Sequence, residues 1–218
     1  MKRRKSLVAI LLAGGIAWGQ AAQQNSAPDH MDRHFDPEAA ARIFDDPARD
    51  AWQMPGRVIA ALACKPGQIV ADIGSGTGYF TVRLARSVAR VYGSDIEPGM
   101  VSYLARRAVR EGLANIVSLQ ASADSPNLPE PVDLILIVDT YHHIGNRAAY
   151  FRRLTASLKP GGRIAIVDFK PDSPEGPPGE FRFSPQQIES EMSAAGYTLT
   201  AKYDFLPRQN FLVFAPNP

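Results

Sequence analysis

The stretch Val70-Ala71-Asp72-Ile73-Gly74-Ser75-Gly76-Thr77-Gly78-Tyr79 constrains the fold more than any other part of this chain. An apolar strand, Gln68 to Ile73, runs straight into a turn with glycine at every second position, and a helix-like stretch from Tyr79 to Ala89 follows. Glycine accepts positive φ and lets a ligand come close to the backbone. A helix that begins there aims its free N–H groups at whatever the turn holds. The expectation is a nucleotide-like ligand site at the carboxyl end of a first strand, where open α/β sheets bind ligands.

The spacing narrows the ligand. The dinucleotide fingerprint G-x-G-x-x-G uses its third glycine for close helix–strand packing and sets a pyrophosphate at the helix N-terminus. Here the glycines fall at 74, 76 and 78, and Tyr79 stands in the place of the fingerprint's third glycine. That disfavours a nicotinamide-dependent oxidoreductase. No G-x-x-x-x-G-K-[ST] occurs, which excludes a P-loop. Asp72 lies two residues ahead of the first glycine, where a fixed carboxylate repels a pyrophosphate and suits a cationic ligand group. The run Asp72-Ile73-Gly74-Ser75-Gly76-Thr77-Gly78 resembles motif I of the class I S-adenosylmethionine-dependent methyltransferases. The resemblance is strong over about residues 66–168 and weaker to 215, and Leu158-Lys159-Pro160-Gly161-Gly162-Arg163 is similar to the family's turn before strand five. It implies S-adenosyl-L-methionine as cofactor, which carries a sulfonium and an ammonium and no phosphate, held at Asp72, Gly74, Ser75, Gly76 and Gly78.

Strand and helix signals then alternate. Strands are expected at Arg90–Ser94 (ending at Asp95), Asn115–Gln120, Val132–Val138 and Arg163–Phe169, with helices at Pro98–Gly112 and Asn146–Leu158. Val132 to Val138 is an almost continuous apolar run, as a buried parallel strand requires. After a Pro- and Gly-bearing loop at 170–183, a helix from Ser184-Pro185 to Gly196 precedes two strands, Thr198–Phe205 and Gln209–Ala215, whose tight join makes them antiparallel. The predicted fold is α/β: a doubly wound, seven-stranded, mostly parallel sheet with an antiparallel last strand and helices on both faces. Residues 35–65 read as an N-terminal helical cap and 66–215 as a Rossmann-like core, together a methyltransferase domain over 35–218.

The strand ends supply the other candidates. Asp95 ends strand two, 21 residues beyond Gly74, where a carboxylate can accept both ribose hydroxyls of a nucleotide; Ile96 would flank the adenine. After strand three, Ala121-Ser122-Ala123-Asp124 is where the family places its adenine-edge contacts, so the resemblance assigns Ala123 and Asp124 there. Asp139 ends strand four and would face the cofactor's methionine end. Tyr141, His142 and His143 follow it and are the candidate catalytic groups, able to deprotonate or orient a nucleophile at neutral pH. The plain alternatives are a loop carboxylate in water for Asp124 and packing roles for each histidine. No metal site is expected, since the histidines are adjacent and the single cysteine is Cys64. No Asn/Asp-Pro-Pro-Tyr follows strand four, which argues against the amine and amide methylation of relatives with that sequence. A small-molecule acceptor attacked at oxygen or carbon is the expectation; the alternative is a non-catalytic cofactor-binding sensor or scaffold.

Bulk numbers bound the rest. Hydrophobic residues make up 45% of 218, enough for a full core. The net charge of +2 is carried by Lys2, Arg3, Arg4 and Lys5, which leaves +2 − 4 = −2 for the body, so nothing favours nucleic-acid partners. Those basic residues precede an apolar stretch from Leu7 to Trp18 and small residues at Ala17, Gly19, Ala21 and Ala22, the pattern of a signal peptide over 1–22, too short for an ordinary membrane span. A linker over 23–34 follows. The expectation is an exported, periplasmic or secreted protein without stable membrane insertion, or a cytoplasmic one if the true start is Met31.

Overall fold

The structure is a computed structural model describing residues 36–218. The expected signal peptide and linker, with His30, Met31 and His34, lie outside the described residues. Seven strands form one sheet: β1 (Ile69–Ile73), β2 (Arg90–Asp95), β3 (Ile116–Gln120), β4 (Val132–Val138), β5 (Leu158–Phe169), β6 (Tyr197–Tyr203) and β7 (Gln209–Pro216). Their order is β3-β2-β1-β4-β5-β7-β6. The pairs from β3 through β5 are parallel, and β7 runs antiparallel to both β5 and β6. The chain leaves β1 toward β2 on one side and later returns to place β4 on the other. The carboxyl ends of β1 and β4 therefore flank the crevice where such sheets bind ligands.

Burial on both faces explains the apolar strands. In β4, Ile135 and Ile137 join a core with Tyr141, Phe151 and Ile188, while Leu134, Leu136 and Val138 join a second core with Val58, Leu84 and Phe211. Each fully buried Leu or Ile is worth ~1.5–3 kcal/mol over exposure, so a polar residue at either register would cost much of the sheet's stability. The helices are α1 (Pro37–Phe44), α2 (Asp50–Gln53), α3 (Pro55–Leu62), α4 (Thr81–Leu84), α5 (Pro98–Arg110), α6 (Arg147–Leu154) and α7 (Pro185–Ala194). Among the described residues, no helix is long and apolar enough to cross a membrane.

Several boundaries differ from expectation; α6, for one, ends at Leu154 and not at Leu158. The helix after the glycine turn is four residues, not eleven. Beyond Ala85 it tightens to i→i+3 bonds, and the Ala89 N–H is drawn to Gln68 O (2.9 Å) so that β2 can start beside β1. Asn115 Nδ2 donates to the carbonyls of Ala85 (2.8 Å) and Val88 (3.0 Å) that this early stop leaves over. β5 starts five residues early, at Leu158, because Lys159–Gly162 is taken into the strand across a register shift opposite Val132 and Leu134. The N-terminal helical run is broken into α1, a 3-10 turn at Pro47–Arg49, α2 and α3. The Asp36-Pro37 and Asp46-Pro47 pairs each start a segment, their carboxylates accepting from the N–H of Glu38 (3.1 Å) and Ala48 (2.8 Å).

Candidate functional site

The turn after β1 is held in the shape its glycines allow. Gly74, Gly76 and Gly78 all have positive φ, +72°, +52° and +91°. A Cβ at Gly74 would collide with the Thr140 side chain at the end of β4, so this glycine is required by space as well as by backbone angle. The N–H groups of Gly74 (2.8 Å) and Ser75 (3.1 Å) donate to Ser94 O, and Gly76 N–H donates to Asp95 Oδ2 (2.7 Å). The loop is thereby tied to the end of β2.

Asp72 is buried behind this loop. Its Oδ2 accepts from Thr81 Oγ1 (2.6 Å), which fixes the start of α4, and burial pushes its carboxyl up to about 6 despite that bond. Asp95 is 8% exposed. Its second oxygen accepts from Glu97 N–H (2.9 Å), and burial raises its carboxyl against the pull of these backbone donors. Two oxygens with about four acceptor positions leave Asp95 room for a diol. Ile96 beside it is 53% exposed, an apolar wall open to a ring.

Other features fit the expected cofactor. The hydroxyls of Ser75 and Thr77 are buried in the loop without a hydrogen-bond partner, a cost that a polar ligand would relieve. Residues 72–80 contain no Lys or Arg, so the loop offers no side-chain cation for phosphate. The donor set suits a nucleoside with a cationic tail.

Beyond β3, Ala123 and Asp124 form the tip of a small turn closed by Ser122 and Ser125. The Asp124 carboxylate is 86% exposed and paired with Arg153 Nη2 at 2.9 Å. A cation on α6 thus engages the carboxylate that the resemblance assigns to the adenine edge.

The end of β4 is the most congested part. Asp139 adopts a left-handed backbone, φ +51°, which few non-glycine residues do. Its carboxylate accepts from Arg49 Nη2 (3.0 Å) at one oxygen and from Gln209 Nε2 at the other. Gln209 Oε1 accepts from Gln53 Nε2 (2.7 Å), and Gln53 Oε1 accepts from Arg49 Nε (2.8 Å), so the four side chains close a ring. Both glutamines are fully buried. Burial pushes the Asp139 carboxyl up to about 7; Arg49 opposes the rise and Asp168 adds to it. Through this ring the α1–α2 segment is fastened over the crevice. Phe44 packs against Gly76, the Arg49 guanidinium lies 4.2 Å from the Tyr79 ring centre, and Arg107 Nη1 links Asp45 (2.8 Å) to Thr77 O (3.0 Å).

The three candidate catalytic groups part company. Tyr141 is fully buried; its ring stacks on Phe151 and meets Phe183 edge-on, and its hydroxyl donates to Glu191 (2.5 Å). Burial and Glu191 raise its pKa strongly, so Tyr141 is a core residue and not a base, a correction to the sequence expectation. His142 and His143 lie ring to ring, 4.2 Å between centres. His142 Nδ1 is 2.9 Å from Asp168 Oδ1 and 3.0 Å from Oδ2, and its backbone N–H also donates to Oδ2 (3.1 Å). The sequence reading does not single out Arg49, Gln53 or Gln209. None of the three lies in a local motif. The partners become visible only when strand order is known.

Residues 70–162 match the family described as a methyltransferase domain. An uncharacterised methyltransferase of Geobacillus kaustophilus is 30% identical over 128 residues, 57% of this chain and 58% of that one. The demethylmenaquinone methyltransferase of Tropheryma whipplei is 34% identical over 112 residues, 49% of this chain and 46% of its own length. This chain thus spans about half the length of these curated relatives. Among solved structures, an S-adenosylmethionine-dependent methyltransferase of Aquifex aeolicus superposes with a TM-score of 0.75 at 26% identity, over 83% of this chain and 98% of that one. The fold is that of the class I methyltransferases. Residues 70–162 match a methyltransferase domain, and a solved S-adenosylmethionine-dependent methyltransferase shares the fold.

Proposed function

We propose that this chain transfers the methyl group of S-adenosylmethionine to a small-molecule acceptor. The observation that supports it most is the meeting of two strand ends: a left-handed glycine loop bonded to Asp95 on one side, and Asp139 with His142 and His143 on the other. When bound, the cofactor supplies a methyl group on a positively charged sulfur, so the demanding chemistry is its own. This chain's residues bind and orient. Asp95 accepts the ribose hydroxyls, Ile96 flanks the adenine, the Ala123 turn borders its edge, and Asp139 faces the methionine end. Ser75 and Thr77 offer the hydroxyls that lack protein partners. The cap helices exclude water, and the histidines are the groups able to take a proton from an acceptor.

The relatives' printed names support a small acceptor without choosing it, and the mildly acidic body gives no reason to expect nucleic acid. Calorimetry on the purified protein is expected to show S-adenosylhomocysteine binding and no NAD binding; the reverse sinks the reading. Label passing from methyl-labelled cofactor to any small acceptor separates an enzyme from a binding module. Export through residues 1–22 is part of the same proposal, and the mature N-terminus read from a fractionated cell decides it.

A further inference from the structure

The ends of β4 and β5 carry a pair that cofactor binding does not require. Asp168 is 1% exposed and accepts four contacts: His142 Nδ1 at both oxygens, His142 N–H at Oδ2 and Phe169 N–H at Oδ1 (2.7 Å). A carboxylate only accepts, so Nδ1 carries the proton and Nε2 is the ring's basic atom. Both hydrogen bonds seen for the ring are made at Nδ1. The ring, 9% exposed, stands three residues beyond Asp139, at the end of the strand that borders β1.

We propose that His142 is the general base of the methyl transfer, that Asp168 is its positioning residue, and that the acceptor atom is a hydroxyl oxygen. The inference rests on the methyl-transfer reading and adds the acceptor class to it. A neutral amine attacks with its own lone pair and sheds its proton afterwards, so it has little use for a fixed base. A hydroxyl is a poor nucleophile until its proton is taken. As the acceptor oxygen bonds the methyl carbon, the carbon–sulfur bond breaks and its electron pair stays on sulfur. The hydroxyl proton passes to Nε2. The imidazolium so formed is held against the Asp168 carboxylate, which fixes the tautomer beforehand and offsets the new charge. Both groups are anchored by backbone contacts to adjacent strand ends, which keeps the pair in place before any acceptor arrives.

The test uses the whole protein, methyl-labelled S-adenosylmethionine, and a matched panel of phenols, aliphatic alcohols, anilines and aliphatic amines. Hydroxyl compounds are expected to be labelled and the amines not. Asp168→Asn offers an amide N–H to Nδ1 and forces the proton onto Nε2. It is expected to lower kcat by roughly 10²–10⁴-fold, the range for general-base catalysis, with KM for the cofactor within about twofold. Long-range ¹H–¹⁵N spectra of histidine-labelled protein should show His142 as the Nδ1–H tautomer in the natural sequence and the Nε2–H tautomer in Asp168→Asn. Added imidazole should restore turnover to His142→Gly and not to Asp168→Asn. Unfolding curves and S-adenosylhomocysteine affinity, measured on every variant, show that the fold and cofactor site persist. Label found only on amines, no label on any hydroxyl compound by a protein that binds S-adenosylhomocysteine, or full turnover in Asp168→Asn, overturns the inference and leaves methyl transfer standing. Failure to bind S-adenosylhomocysteine removes the methyl-transfer reading itself.

Discussion

Around the glycine loop, the contacts that fix the carboxylates are short in sequence: Thr81 reaches Asp72 across nine positions and Gly76 reaches Asp95 across nineteen. Under the N-terminal cap they are long. Arg49 reaches Asp139 across 90 positions, Gln209 reaches it across 70, and Gln53 reaches Gln209 across 156. The first region is shaped by backbone requirements that a few residues impose on their neighbours. The second is a polar ring that exists only because β4 and β7 flank β5 and the cap folds back over them. Substitutions in the two regions should therefore fail differently, the first through backbone strain and lost ligand contacts, the second through charge and desolvation.

The largest expected effect lies in the first region. Gly74→Ala adds a Cβ at φ +72° that collides with Thr140. The left-handed angle costs about 1–2 kcal/mol and the forced shift about 1–3 more. Urea unfolding should show a loss of about 2–5 kcal/mol, together with lost affinity for S-adenosylhomocysteine. Gly112→Ala is the control: its φ is +67° but nothing lies within 4 Å of the added atom, so only the angle is felt. Equal losses at both positions would show that the Thr140 contact yields easily, and that the glycine loop is less closely fitted to β4 than its geometry implies.

Next comes Asp95. If it accepts the ribose hydroxyls, Asp95→Ala should weaken S-adenosylhomocysteine binding by about 1.5–3 kcal/mol, the range for hydrogen bonds to a charged group. Asp95 also accepts from Gly76 N–H, so a folded variant must be verified first. Unchanged affinity in a folded variant would move the ribose elsewhere.

The two regions were unequally legible. Asp72, the three glycines and Asp95 follow from motif spacing, because positive φ and strand-end position are properties of a few adjacent residues. All seven strands, and β4 to the residue, follow from apolar runs and turn signals. Tyr141 was misplaced because a tyrosine after a strand end reads the same whether its hydroxyl meets solvent or Glu191, 50 positions away. Arg49 and Gln209 were invisible for the same reason. A polar side chain's partner is set by topology, and periodicity carries no trace of it.

Protonation distinguishes the regions again, with a smaller effect. Burial places the Asp72 carboxyl at about 6 and that of Asp139 at about 7. Both lie above the unfolded value of about 4, so the folded protein holds extra protons between these limits. Stability without cofactor should be complete below about pH 4 and fall as pH rises through 6 and 7. Cofactor affinity should move the opposite way if the ionised carboxylates hold the cationic tail, rising over the same window with proton release. Calorimetry in buffers of different ionisation heat measures that release. Arg49→Met removes a cation that opposes the rise at both Asp139 and Asp72, so it should push the whole window higher, most at Asp139, whose carboxylate it touches. An unchanged profile would show that Asp139 does not titrate in this range.

The smallest effect is expected at Asp124, and it decides whether the third strand end belongs to the short-range region at all. The Asp124–Arg153 pair is open to solvent on both sides, at 86% and 51% exposure. Exposed pairs of this kind are worth about 0–1 kcal/mol, because water screens the charges and two long side chains lose freedom. Asp124→Asn should therefore leave stability within about 1 kcal/mol of the natural sequence. Its effect on S-adenosylhomocysteine affinity is the informative quantity. If the carboxylate stays with Arg153, affinity is unchanged, and adenine recognition falls to Ile96 and the backbone of the Ala123 turn. A loss of more than about 1.5 kcal/mol, the size of a hydrogen bond to a charged group, would mean that Asp124 leaves Arg153 when cofactor binds. Arg153→Ala would then tighten binding by freeing the carboxylate, a change of opposite sign that a purely structural pair could not produce.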